Sequence, residues 1–96
     1  MEAPLKDLPQ EFILFQNYPN PFNLGTNINY VLSTESKVNL SIYNSLGQRV
    51  NELVNKVQGI GQYAVNFQAK DLSSGIYFYK LEAGHFTQVK KMMLMK

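Results

Sequence analysis

Two central stretches alternate apolar and polar residues with a period of two. In TNINYVLS, Ile28, Tyr30 and Leu32 fall on one face and Asn27, Asn29 and Val31 on the other. In KVNLSIYN, Val38, Leu40 and Ile42 oppose Asn39, Ser41 and Tyr43. Branched and aromatic residues at this period predict strands with one buried face. EFILF, Glu11 to Phe15, predicts a first strand, and GIGQYAVNFQA puts Tyr63, Val65 and Phe67 on a common face. IYFYKLEA and HFTQVKKMMLMK predict two strands joined as a hairpin through Gly84. NSLG reads as a turn in which Gly47 can take positive φ, and DLSSG as a loop. QRVNELVNKV is ambiguous, because Val50, Leu53, Val54 and Val57 also fit one face of a short helix. The hairpin turn before it favours a strand. The sum is about seven strands without a long helix, which predicts an all-β antiparallel sandwich or small barrel.

Between the first two strands lies FQNYPNPFN, Phe15 to Asn23. Each proline fixes its own φ and pushes the preceding residue, Tyr18 or Asn20, into extended geometry. Proline offers no N–H, so the segment cannot be a central strand. It reads as a rigid crossover in which Asn20 and Asn23 satisfy nearby backbone through Asx-type bonds and Phe22 plugs one end of the sandwich. Tyr77 follows the Gly75 corner at the start of a late strand. That is the position of a tyrosine whose ring fills the core edge while its hydroxyl bonds back to the loop. Residues Met1 to Gln10 carry two prolines, mixed charges and few large apolar groups, and predict a mobile linker ahead of a folded domain over residues 11–96.

The closing run KKMMLMK is apolar on both faces of a strand, with Met92 and Leu94 one way and Met93 and Met95 the other. Burial under a loop and exposure as a recognition edge both fit this pattern. Unbranched methionine suits an adaptable contact surface, and flanking lysines attract acidic partners while limiting self-association. Lys91, Met92, Met93, Leu94, Met95 and Lys96 are therefore candidate partner-binding residues. Anionic lipid attracts each nearby lysine by only about 1 kcal/mol, so a protein receptor explains the run better. An apolar final strand also permits weak or strand-swapped homodimers.

The 96 residues suit one domain, and 45% apolar composition is that of a globular chain. The absence of cysteine excludes disulfides and thiolate metal sites. Net charge of +2 is too small to argue for nucleic acid. No stretch has the pattern of a signal peptide or the length of a membrane-spanning helix. His85 is the only histidine, Glu52, Asp71 and Glu82 show no informative pairing, and Ser73-Ser74-Gly75 lacks the flanks of a nucleophile elbow. Neither an enzyme nor a cofactor is expected.

FILFQNYPNPFN, TNINYVLS, VNLSIYNSLGQRV, SGIYFYKLEAG and FTQVKKMMLMK, in this order over Leu8 to Lys96, resemble the C-terminal sorting domain of the type IX (Por) secretion system, type A. They are also similar to the immunoglobulin-like domain of the flagellar hook-capping protein. The resemblance implies an immunoglobulin-like sandwich fused behind an N-terminal cargo domain. The cargo would pass through the periplasm and be recognised by the outer-membrane translocation machinery. It would end secreted or on the cell surface. A sortase-like cysteine peptidase would remove the domain within or upstream of Met1 to Gln10. The family's signal positions match Gly75, Tyr77, Gly84, Lys91 and Lys96, while Asn20, Pro21, Phe22 and Gly47 complete the scaffold set. Leu24 stands where the family usually has a second proline. Two further readings remain open: a carbohydrate-gripping accessory module using Tyr43 and Phe86, and a hook-cap-like assembly module.

Overall fold

The computed structural model describes residues 8–96; residues 1–7, and with them most of the predicted linker, lie outside the described residues. Seven strands follow one another: β1 (Ile13–Leu14), β2 (Gly25–Leu32), β3 (Ser36–Asn44), β4 (Arg49–Gln58), β5 (Gly61–Gln68), β6 (Gly75–Ala83) and β7 (Phe86–Leu94). They form a three-stranded sheet, β1-β2-β5, and a four-stranded sheet, β4-β3-β6-β7, with every strand pair antiparallel. No helix occurs among the described residues. The predicted all-β sandwich of about seven strands is the fold.

The alternation read from the sequence becomes the core. Ile28, Tyr30 and Leu32 of β2, with Phe67 of β5, face Val38, Leu40 and Ile42 of β3, Tyr79 and Leu81 of β6, and Met92 and Leu94 of β7. Each large aliphatic side chain so buried contributes about 1.5–3 kcal/mol. Val31 departs from its pattern. It points to the outer face of the small sheet yet is buried, because it lines a cleft with Leu8, Pro9 and Ile13. Leu8 and Pro9 are half-buried.

The first strand is shorter than EFILF predicts. Only Ile13 and Leu14 form a continuous ladder with β2, at Val31 and Tyr30; beyond them the Phe15 amide donates to the Asn29 carbonyl and Tyr18 makes an isolated bridge to Asn27. On either side the chain takes other partners: Phe12 stacks on Phe86 with ring centroids 5.3 Å apart, and the Phe15 carbonyl accepts from the Tyr79 hydroxyl at 2.7 Å.

β4 is a strand, and its helix-like spacing has a cause. Its register against β3 shifts between Leu40 and Ser41 and again between Ile42 and Tyr43, leaving Leu53 and Val50 as the extra residues of two β-bulges. Each bulge resets the alternation by one residue. In the turn before it, the Asn44 Oδ1 accepts from the Leu46 and Gln48 amides, and Gly47 takes φ +82°. The β6–β7 hairpin turns on Gly84 and His85, with Gly84 at φ +59° and Ala83 opposite Phe86. A positive φ at the first central residue alone is the pattern of a type II′ turn, which glycine adopts without strain.

Candidate functional site

β7 lies at the edge of the four-stranded sheet, bonded on one side to β6. Its pleat divides the closing run in two. Met92 and Leu94 point inward and are 0% and 1% exposed, whereas Met93 and Met95 point outward and are 38% and 56% exposed. Lys91 is exposed beside them. Lys96 is tied back: its amide donates to Ser74 Oγ at 2.9 Å and its ammonium to the Lys70 carbonyl at 3.0 Å. Of the six candidate partner-binding residues, four are presented to solvent and two are core.

The free edge of β7 would be a liability if left open along its length. The chain closes its last part with the proline segment. Asn20 Oδ1 accepts from the Met93 amide at 2.9 Å, the Phe22 amide donates to the Met93 carbonyl at 2.9 Å, and the Met95 amide donates to the Phe22 carbonyl at 2.8 Å. Gln16 Nε2 donates to the Lys91 carbonyl at 2.7 Å. Asn20 therefore serves a strand end 73 residues away rather than the local Asx bond expected of it. Phe22 is the predicted plug: 2% exposed and edge-on to Phe67, with centroids 6.3 Å apart. The Tyr18-Pro19 and Asn20-Pro21 bonds are cis.

A buried polar cluster holds this proline segment, a staple across the edge of β7, to the sandwich. The Tyr79 hydroxyl donates to the Phe15 carbonyl at 2.7 Å and accepts from the Asn17 amide at 2.8 Å. Asn17 Nδ2 donates to Thr26 Oγ1 at 3.0 Å and to the Pro19 carbonyl at 3.1 Å. The Thr26 hydroxyl in turn donates to the Pro19 carbonyl at 2.8 Å. Asn17 and Thr26 are 2% and 1% exposed, so each of these bonds offsets a desolvation penalty. Burial pushes the Tyr79 phenol up to about 12. It does the same to Tyr30, whose hydroxyl donates to Gln58 Oε1 at 2.6 Å.

Tyr77 behaves as its position predicts, with a ring nearly buried and a hydroxyl that donates to the Ser73 carbonyl at 2.7 Å. Gly75 opens β6 opposite Leu94, beside the terminal strand. Gly84 sits in the β6–β7 turn at the other end of β7, and Gly47 in the β3–β4 turn, where it lines a cleft with Tyr43, Phe78 and Val89. Sequence reasoning missed Asn17, Thr26 and Tyr79. A lone asparagine, threonine or tyrosine carries no local mark of a buried network. The two aromatics named for carbohydrate make no exposed platform: Phe86 is stacked on Phe12, and Tyr43 lies 5.2 Å beneath the Lys80 ammonium.

Fold and site define a small all-β display module, in which a terminal strand is held at its edge by the chain's own proline segment. Residues 16–95 match the family described as the secretion system C-terminal sorting domain, and the chain belongs to that family. It is thus a sorting signal of type IX secretion, a non-catalytic signal family whose members direct export across the outer membrane to the cell surface or the medium. No curated protein and no solved structure matches the chain.

Proposed function

We propose that the outward side chains Lys91, Met93 and Met95, with Lys96 held against the neighbouring loop beyond the strand, are read by a protein docking site of the translocation machinery. The carrying observation is the split of the closing run: Met92 and Leu94 lock the strand into the core and leave Met93 and Met95 displayed. Polarizable, unbranched side chains beside lysines suit a partner that is apolar at its centre and acidic at its rim. The domain contributes recognition, not catalysis. Its cargo is fused ahead of Leu8 and passes through the periplasm before export. A sortase-like cysteine peptidase then cuts within residues 1–10 or upstream. An immunoglobulin-like sandwich is supported by the connectivity, which sets the first, second and fifth strands against the third, sixth and seventh, with the fourth strand on the larger sheet rather than beside the fifth as in the constant type.

The test is export of a reporter fused ahead of the chain, in a host with type IX machinery. Deleting the closing run is a poor choice, since it removes two core residues. The informative variant is Met93→Ala/Met95→Ala with Lys91→Ala. Export should fall while the melting temperature stays at the wild-type value. Wild-type export from this triple variant would end the proposal.

A further inference from the structure

We propose that the docking surface does not stop at β7 but continues over the outer face of the four-stranded sheet, from Met93 across Phe78 to Tyr43, and takes a protein partner presenting an apolar side chain between carboxylates. This rests on the reading of the terminal strand as the signal and extends it from a tail to a folded surface. Strand register assembles the face. Met93 lies opposite Ile76, Lys91 opposite Phe78, Phe78 opposite Tyr43, and Val89 opposite Lys80. The solvent side of an antiparallel sheet is normally polar. Here it carries Met93 and Val89, 38% and 50% exposed, with Ile76, Phe78 and Tyr43 half-buried between them.

Two shallow clefts mark the row. One, of about 260 Å³, is floored by Tyr43, Phe78 and Val89 and rimmed by Lys80. The other, of about 160 Å³, lies between Pro21 of the staple, Ile76, Lys91 and Met93. The outer face of the small sheet is different. At its Gly25 end Asn66 Nδ2 donates to Asn27 Oδ1 and Gln68 Nε2 to Asn66 Oδ1, forming a polar amide row.

Charge selects the partner. On the apolar row the nearest cations are under-neutralised: Lys91 makes no ion pair among the described residues, and Lys80 only a loose one, 3.9 Å from Glu82. Glu52, on the same face, is already engaged by Arg49 at 3.1 Å and by Asn39 at 2.8 Å. An apolar centre flanked by one unpaired ammonium, Lys91, and one loosely held over Tyr43, Lys80, fits an apolar knob with acidic neighbours.

The test adds Lys80→Glu, Lys80→Arg and Val89→Asp to the reporter fusion. Both acidic variants are expected to lower export about tenfold or more with an unchanged melting temperature, while Lys80→Arg exports normally. Should Val89→Asp lower the melting temperature, Lys80→Glu alone decides. Wild-type export from the acidic variants, with loss in the Lys91→Ala/Met93→Ala/Met95→Ala variant, overturns the extended face and leaves the terminal-strand reading standing. Wild-type export from both sets overturns both. Flotation of the chain with phosphatidylglycerol vesicles, lost in the same acidic variants, would make the partner a lipid surface and overturn the protein one.

Discussion

Tyr79 joins the N-terminal segment to the core through a single hydroxyl that both donates and accepts. Tyr79→Phe leaves the Phe15 carbonyl and the Asn17 amide without that partner inside the protein. Each orphaned group costs about 1–3 kcal/mol, so the variant should lose at least that much stability by denaturant titration. Tyr77→Phe, which frees only the loop carbonyl of Ser73, should lose about 1 kcal/mol. The same burial predicts an alkaline limit. Tyr30 and Tyr79 hold their protons up to about 12 in the folded state, against an ordinary 10.0. A raised folded pKa stabilises below the unfolded value, so their contribution is whole below pH 10 and lost as pH climbs through 12. Near-ultraviolet titration of tyrosinate should show two late phenols ionising with unfolding; six phenols titrating together near pH 10, with the fold intact, would contradict it. Tyr77 was legible because its partner lies four residues upstream, within a known local motif. Tyr79 was not, because its partners lie 64 and 62 residues away and nothing nearby in sequence requires them.

At the scale of the element, legibility depended on whether the pleat ran undisturbed. β2, β3 and β6 keep period two and were readable as strands with their inward faces. β4 was ambiguous because two bulges break its parity, and bulges are set by pairing with β3, which composition does not encode. β7 was two-faced in sequence because one apolar set packs and the other displays. That division is measurable. Met92→Ala and Leu94→Ala should each cost about 2–5 kcal/mol, whereas Met93→Ala and Met95→Ala should stay within about 0.5 kcal/mol in chemical denaturation. Equal losses from both sets would mean that the strand does not sit in this register. The staple has its own signature. Asn20→Ala removes the acceptor of the Met93 amide while leaving the Met95 amide on Phe22. Hydrogen exchange at Met93 should therefore quicken more than at Met95.

For the whole molecule, the question is where the folded unit begins. The family match starts at residue 16, and the sequence pattern places the boundary after Gln10. The packing argues for the earlier point. Leu14 is 3% exposed in the core, Phe12 stacks on Phe86, and Phe15 supplies the carbonyl that Tyr79 needs. A chain starting at Glu11 should melt close to the full chain, losing only the cover that Leu8 and Pro9 give Val31. A chain starting at Gln16 forfeits Leu14, which by comparison with buried leucine truncation costs about 2–5 kcal/mol, and the Phe15 carbonyl that accepts from Tyr79 besides. Since small domains hold only about 5–15 kcal/mol in total, that shorter chain should be partly unfolded or melt far lower. Thermal melts of the two truncations decide the matter. If they agree, the segment before the proline motif is a linker throughout and a peptidase could cut as late as Phe15. If they differ as argued, a cut that releases an intact sorting domain must fall ahead of Leu14. The staple on β7 would then survive cleavage, and with it the surface we propose as the docking face for the export machinery.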